Sequence, residues 1–393
     1  MSANTLRGRV AVVGIGETAY YKHGRSPDAE FKLALKAVLA ACADAGLDPR
    51  RIDGFASYSN DRNDPSRLAA ALGIAQLRSA TMQWGGGGGG CCAAVANGAA
   101  AIAAGLAECV VVYRALAQGE YGRFGQASNA ATISGDMAYQ MPYGVSAPPQ
   151  KFAMKYTRFM HQYGIGPDAQ RAIALASYHH AQANPRAVMY GKPLDAAAYD
   201  AARWIVEPYR LFDCCMENDG AAAIVLVAAE RARDFPNQPA YILGAASGSG
   251  YRAGAAPMNE PVYASSSFGP VAADLYRMAG LSAGDVGVVQ SYENFTGAVV
   301  MALAEHGFFA PEDANEFLTF ENLIAPSGKL PLNTSGGNLA ECYVHGFELV
   351  LEAVRQVRGT SSSQAPRSDV ALVTGGPLIT PVSNLLLGSG ATL

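Results

Sequence analysis

The sequence predicts an α/β fold built from two duplicated halves, and three observations carry that reading. Residues 85–107 contain no charged side chain: six glycines, Gly85–Gly90, run through Cys91 and Cys92 into an alanine-rich stretch that ends near Gly105. Ala45-Gly46-Leu47 through Ser57-Tyr58 is echoed without a gap by Ala279-Gly280-Leu281 through Ser291-Tyr292. After each copy come glycines, a small-residue helix and an apolar strand. In the first half these are Gly85–Gly90, 91–105 and 109–113; in the second they are Gly336-Gly337, roughly 338–357, and 370–373. Repetition in that order marks a duplication. The predicted domains are 1–240 and 241–393.

Each element has a local reason. Val10–Val13 and the Gly14-Ile15-Gly16 that follows read as a first strand and turn; a lone GxG without its third glycine is weak evidence for a dinucleotide site. Residues 29–45 carry apolar side chains at helical spacing and stop at Gly46. The 91–105 segment has good helix propensity and no polar face, so it must be buried all round. Its glycine-rich approach can aim bare N–H groups at a cavity. Cys109–Tyr113 reads as a fully buried strand. Residues 115–205 are too long for a loop and predict an inserted lid or cap with helices at 156–163 and 169–183. Residues 219–227 return to the sheet, and Tyr241-Ile242-Leu243 opens the second half. Residues 244–263 look mobile, and the tail from Leu378 is expected to close a sheet edge.

Composition bounds the function. The chain has 393 residues, half of them hydrophobic, and a net charge of -4. That balance argues against nucleic acid. The uncharged 85–107 run is too rich in glycine and alanine for a membrane span. The first residues lack an apolar run of signal-peptide length, so a cytoplasmic location is expected. Cys42, Cys91, Cys92, Cys109, Cys214, Cys215 and Cys342 show no metal-like CxxC and suit reduced, buried thiols. No His/Asp/Glu cluster has metal-ligand spacing.

Several stretches together resemble the thiolase superfamily, in its branch related to the sterol-carrier-protein-type thiolases. They are Val12–Thr18, Asp44-Ala45-Gly46-Leu47, the glycine-led helix at 91–105, Asn218-Asp219-Gly220-Ala221-Ala222, Tyr292-Glu293-Asn294-Phe295 and Asn333-Thr334-Ser335-Gly336-Gly337. The resemblance spans nearly the whole chain. It implies a five-layer αβαβα sandwich of two like halves, a homodimer and an acyl-CoA substrate, with coenzyme A as part of that substrate and no further cofactor. The departures are informative. Counting back from Gly105 puts the family's nucleophilic cysteine at about Gly89, and its two histidines fall at Tyr292 and Tyr343. Acyl-cysteine chemistry needs the groups that are missing.

The pattern left is similar to the thiolase-like aldolases of steroid side-chain degradation. These cleave a β-hydroxyacyl-CoA by retro-aldol reaction to a steroid ketone and a short acyl-CoA such as propionyl-CoA or acetyl-CoA. They work with a small OB-fold and zinc-ribbon partner or a hydratase-fused equivalent. The resemblance assigns catalysis to Tyr292 and Tyr343. Glu293, Asn294, Asn333 and His345 are supporting candidates, and backbone N–H groups at Gly89, Gly90, Gly336 and Gly337 are candidate oxyanion donors. Each has a bland alternative as a packed tyrosine, a helix cap or a turn. His345, two residues along a helix from Tyr343, is expected to point elsewhere. Two competing readings are an acyltransferase using Cys91 or Cys92, and a lipid-binding or scaffold subunit without catalysis.

Overall fold

The computed structural model describes residues 5–84, 87–121, 123, 125–126, 132–253 and 260–393. Its strands in chain order are β1 (Val10–Glu17), β2 (Tyr21–Lys22), β3 (Gly54–Tyr58), β4 (Ser79–Gln83), β5 (Cys109–Ala117) and β6 (Trp204–Val206). There follow β7 (Tyr209–Arg210), β8 (Asn218–Ala228), β9 (Ala240–Gly248), β10 (Val288–Ser291), β11 (Val370–Gly375) and β12 (Val382–Gly388). One sheet runs β10-β11-β12-β9-β1-β8-β5-β3-β4, with β2 attached to β8.

The order is the same on both sides of the β9–β1 junction. β3 and β5 are parallel, while β5, β8 and β1 alternate antiparallel. β10 and β11 are likewise parallel, and β11, β12 and β9 alternate. The counterpart of β4 is reduced to one parallel bridge, Val289 to Leu332. Two like halves are therefore joined into continuous pairing where Ala11 and Val12 meet Tyr241 and Ala240.

Helices cover both faces and fill the middle. Cys91–Ala103 packs on β3, β5 and β4 of one half and on β9, β12 and β11 of the other; Phe347–Arg358 also touches strands of both. The three largest apolar clusters among the described residues follow that layering. One, around these two helices, draws on both halves; another lies under the outer helix Glu30–Ala45; a third lies under the outer helices of the second half. That layering is the αβαβα sandwich. Small side chains make it possible: a Cβ at Gly98 would stand 3.1 Å from both Leu226 and Val110.

Four expectations change. β1 continues through Gly14 and Gly16 to Glu17, so GxG is not a turn; a Cβ at Gly16 would meet the backbone of Ala41 at 2.1 Å. β9 extends to Gly248, leaving less of 244–263 outside regular structure. The tail strand β12 lies inside the sheet between β11 and β9, not at an edge. The 338–357 helix is broken into the single turn Gly337–Ala340 and the helix Phe347–Arg358. The inserted region forms Pro148–Tyr163 and Pro167–Ala183. Gly85 and Gly86 lie outside the described residues. No described helix is long and apolar enough to cross a membrane.

Candidate active site

Tyr292 follows directly on β10, and its N–H donates to the Thr374 carbonyl at 3.0 Å, continuing the pairing with β11. Asn333 fixes the strand end just before it: Oδ1 accepts the Ser291 N–H at 2.7 Å and Nδ2 donates to the Ser291 carbonyl at 2.9 Å. Tyr343 sits in the break between Gly337–Ala340 and Phe347–Arg358, where its N–H donates to Asn218 Oδ1 at 2.9 Å. These unrelated supports bring the two phenol oxygens to 2.7 Å, on the wall of a cavity of about 920 Å³.

Burial pushes both phenols well above 10. Their shared hydrogen bond acts oppositely on the two: it raises Tyr292 and lowers Tyr343, as expected when the Tyr292 O–H donates to the Tyr343 oxygen. The nearby Arg114 charge also favours the Tyr343 phenolate.

His345 corrects an expectation. With the helix broken, it takes a left-handed conformation (φ 52°) and lines the same cavity. Its ring meets that of Tyr343 edge-on, 5.4 Å between centroids. The Arg114 guanidinium lies 2.8 Å from His345 Nδ1 and can only donate, so Nδ1 accepts and Nε2 carries the proton. Burial and the Arg114 charge hold the imidazole far below 6.5. Arg114, itself buried, is anchored by Asp61 at 3.1 Å and Asn60 at 2.9 Å. Its sequence signal was a lone cation inside the apolar run of β5.

The remaining candidates divide. Asn294 lines the cavity, but Glu293 and Asn333 do not. The Glu293 carboxyl accepts from Ser177 at 2.8 Å and packs against Gly337; burial holds it well above 4.5. Gly89, Gly90, Gly336 and Gly337 are not on the cavity wall, whereas Gly87 and Gly88 are. The Gly336 N–H is already spent on the Asn333 carbonyl at 2.9 Å, and Gly89 is packed on the Pro381 carbonyl. Cys91 opens the central helix, yet neither it nor Cys92 reaches the cavity; their sulfurs lie 3.7 Å apart in the core. The thiols on the wall are Cys214 and Cys215. Burial pushes Cys214 up to about 12 and Cys215 well above 9.0, so neither is a thiolate near neutrality. Among the described residues no three His, Cys, Asp or Glu side chains form a metal-holding group.

Fold and site together define a thiolase-fold protein whose central cavity presents two phenols. A family model described as thiolase C-terminal domain-like matches residues 254–387. The steroid side-chain-cleaving aldolase of Thermomonospora curvata is 40% identical to this chain, covering 98% of it and 99% of the relative. The 17-hydroxy-3-oxo-4-pregnene-20-carboxyl-CoA lyase of Mycobacterium tuberculosis is 39% identical, covering 98% and 100%. The solved Ltp2-ChsH2(DUF35) aldolase superposes with a TM-score of 0.91 at 39% identity, over 99% of this chain and all of that one. The chain belongs to the thiolase superfamily, in its family of steroid side-chain-cleaving aldolases.

Proposed function

We propose that this chain cleaves the side chain of a steroid β-hydroxyacyl-CoA by retro-aldol reaction, with Tyr292 and Tyr343 exchanging the protons. The observation that carries the reading is the 2.7 Å phenol pair on a large cavity wall, in a chain similar over its whole length to an aldolase and a CoA lyase. The products are a steroid ketone and a short acyl-CoA.

The chemistry follows from the protonation states. Burial disfavours a resting phenolate, so both phenols start neutral. Tyr292 takes the proton of the β-hydroxyl as the bond between the α and β carbons breaks. Its own proton passes along the phenol pair. The electron pair moves onto the thioester as an enolate, the β carbon becomes the ketone, and the α carbon recovers one proton. The count closes without net charge on the enzyme, which suits a water-poor site. The His345 Nε2–H, held in that tautomer by Arg114, supplies a neutral donor on the same wall for the thioester oxygen.

The chain acts with a small partner protein, which the pairing with ChsH2(DUF35) in its structural relative supports; the homodimer and the OB-fold and zinc-ribbon build of that partner rest on the family resemblance. The test is a cleavage assay on a 17-hydroxy steroid acyl-CoA, with chromatography for ketone and short acyl-CoA. Absence of both products, with and without such a partner, sinks the reading.

A further inference from the structure

The cavity lining mixes apolar and cationic side chains. Phe152 and Phe295, whose ring centroids lie 4.7 Å apart, line it with Leu211 and Ile379, and so do Lys22, His23 and Arg25, which run beside β8. Three such groups in succession stand out in a chain of net charge -4. Arg123, also on the wall, pairs with Glu217 at 3.2 Å. Among the described residues, neither Lys22 nor Arg25 pairs with a carboxylate.

This segment is held in place. Lys22 pairs with Asn218 across β2 and β8, and the His23 N–H donates to the Glu217 carbonyl at 3.1 Å. The buried Asp219 carboxylate accepts the Arg25 N–H at 2.9 Å and the Ser26 N–H at 3.1 Å. His23 Nε2 is buried with no hydrogen-bond partner among the described residues, a polar atom that a ligand would satisfy. One side chain links the segment to the phenols: Asn218 accepts the Tyr343 N–H at 2.9 Å and donates to the Tyr21 carbonyl at 3.0 Å.

We infer that Lys22, His23 and Arg25 form the subsite for the phosphate-bearing nucleotide end of the CoA thioester. The assignment rests on the proposed acyl-CoA substrate and adds its direction. The thioester lies at the phenol pair, the pantetheine arm runs past Asn218, and the nucleotide phosphates meet the β2 cations. The steroid nucleus is left the apolar wall of Phe152 and Phe295. Cations with no carboxylate partner among the described residues break no such ion pair when a phosphate arrives, and phosphate contacts of this kind weaken with salt.

Calorimetric titration of free CoA and of pantetheine, which lacks the nucleotide, tests the assignment without turnover. K22A/R25A should bind CoA roughly tenfold more weakly, with pantetheine affinity unchanged. The salt dependence of CoA binding should also be shallower than in the wild type. Both side chains are exposed, and an unchanged melting temperature checks the fold. K22M/R25M, which keeps the aliphatic stems, should behave alike. Equal loss for CoA and pantetheine, no loss for CoA, or no CoA binding by the wild type would each overturn the subsite. A wild type that binds CoA through these cations yet cleaves no steroid thioester would remove the proposed reaction and leave the subsite standing.

Discussion

The ring of Tyr292 fills the space that any side chain at position 88 would need. A Cβ built on Gly88 falls 2.1 Å from Tyr292 Cε2 and 2.3 Å from its hydroxyl. A residue at this point on the approach to the central helix and a phenol at 292 are therefore alternatives. Gly88→Ala should displace the phenol from Tyr343, cut turnover at least tenfold and destabilise by ~1–3 kcal/mol. Gly269→Ala, where nothing lies within 4 Å of the new Cβ, should stay within ~1 kcal/mol of wild type. Paired thermal melts and rate measurements decide it; a fully active Gly88→Ala variant contradicts the packing.

Removing either phenol oxygen should stop cleavage while leaving the cavity in shape. Tyr292→Phe and Tyr343→Phe are each expected to lose ~10²–10⁴ in kcat. The double variant should lose little more, because the two oxygens share one proton path. Unchanged circular dichroism and CoA affinity would separate catalysis from folding. Additive losses would argue for independent roles.

Stability should fall as the medium turns alkaline, in part through Glu341. Burial foremost, then the Glu17 charge, raises its carboxyl from 4.5 to about 7. A carboxyl raised on folding contributes stability that is fully present below pH 4.5 and lost as pH rises through about 7. The loss amounts to something on the order of 3 kcal/mol. Glu341→Gln keeps an oxygen for Asn184, now 3.0 Å from Oε1, and cannot ionise. Its melting temperature should drop less than that of wild type between pH 5 and pH 8; parallel curves would discount Glu341.

No covalent intermediate is expected. Cys91→Ala and Cys92→Ala should retain turnover within about twofold, since neither thiol reaches the cavity. Iodoacetamide at pH 7.5 should act slowly, with burial holding Cys214 at about 12. Mass spectrometry of enzyme quenched during turnover would reveal an acyl adduct; finding one on any cysteine refutes the scheme.

The duplicated halves could be read from the chain because repeats preserve spacing: the 45–58 and 279–292 echo became β3 and β10 in equivalent places of the sheet. Tyr292 and Tyr343, the two residues that the family resemblance singles out, stand together with their oxygens 2.7 Å apart. Position on the cavity wall was not legible. Helical spacing turns His345 away from the cavity, but the chain between Gly337–Ala340 and Phe347–Arg358 is not helical, and spacing alone does not show that Gly88 lies against Tyr292. Glu293, next to Tyr292, turns its carboxyl to Ser177.

The sequence by itself determined most of the helices and strands and the residue types available to the site, because periodicity, propensity and residue type are local properties. Only the tertiary structure decided which atoms share the cavity. The pairing of Tyr292 with Tyr343 is set by Asn333 holding Ser291 and by Asn218 holding the Tyr343 backbone, contacts between segments far apart in the chain. The direction of a side chain beside a break in regular structure is fixed by such long-range packing, and no local pattern encodes it.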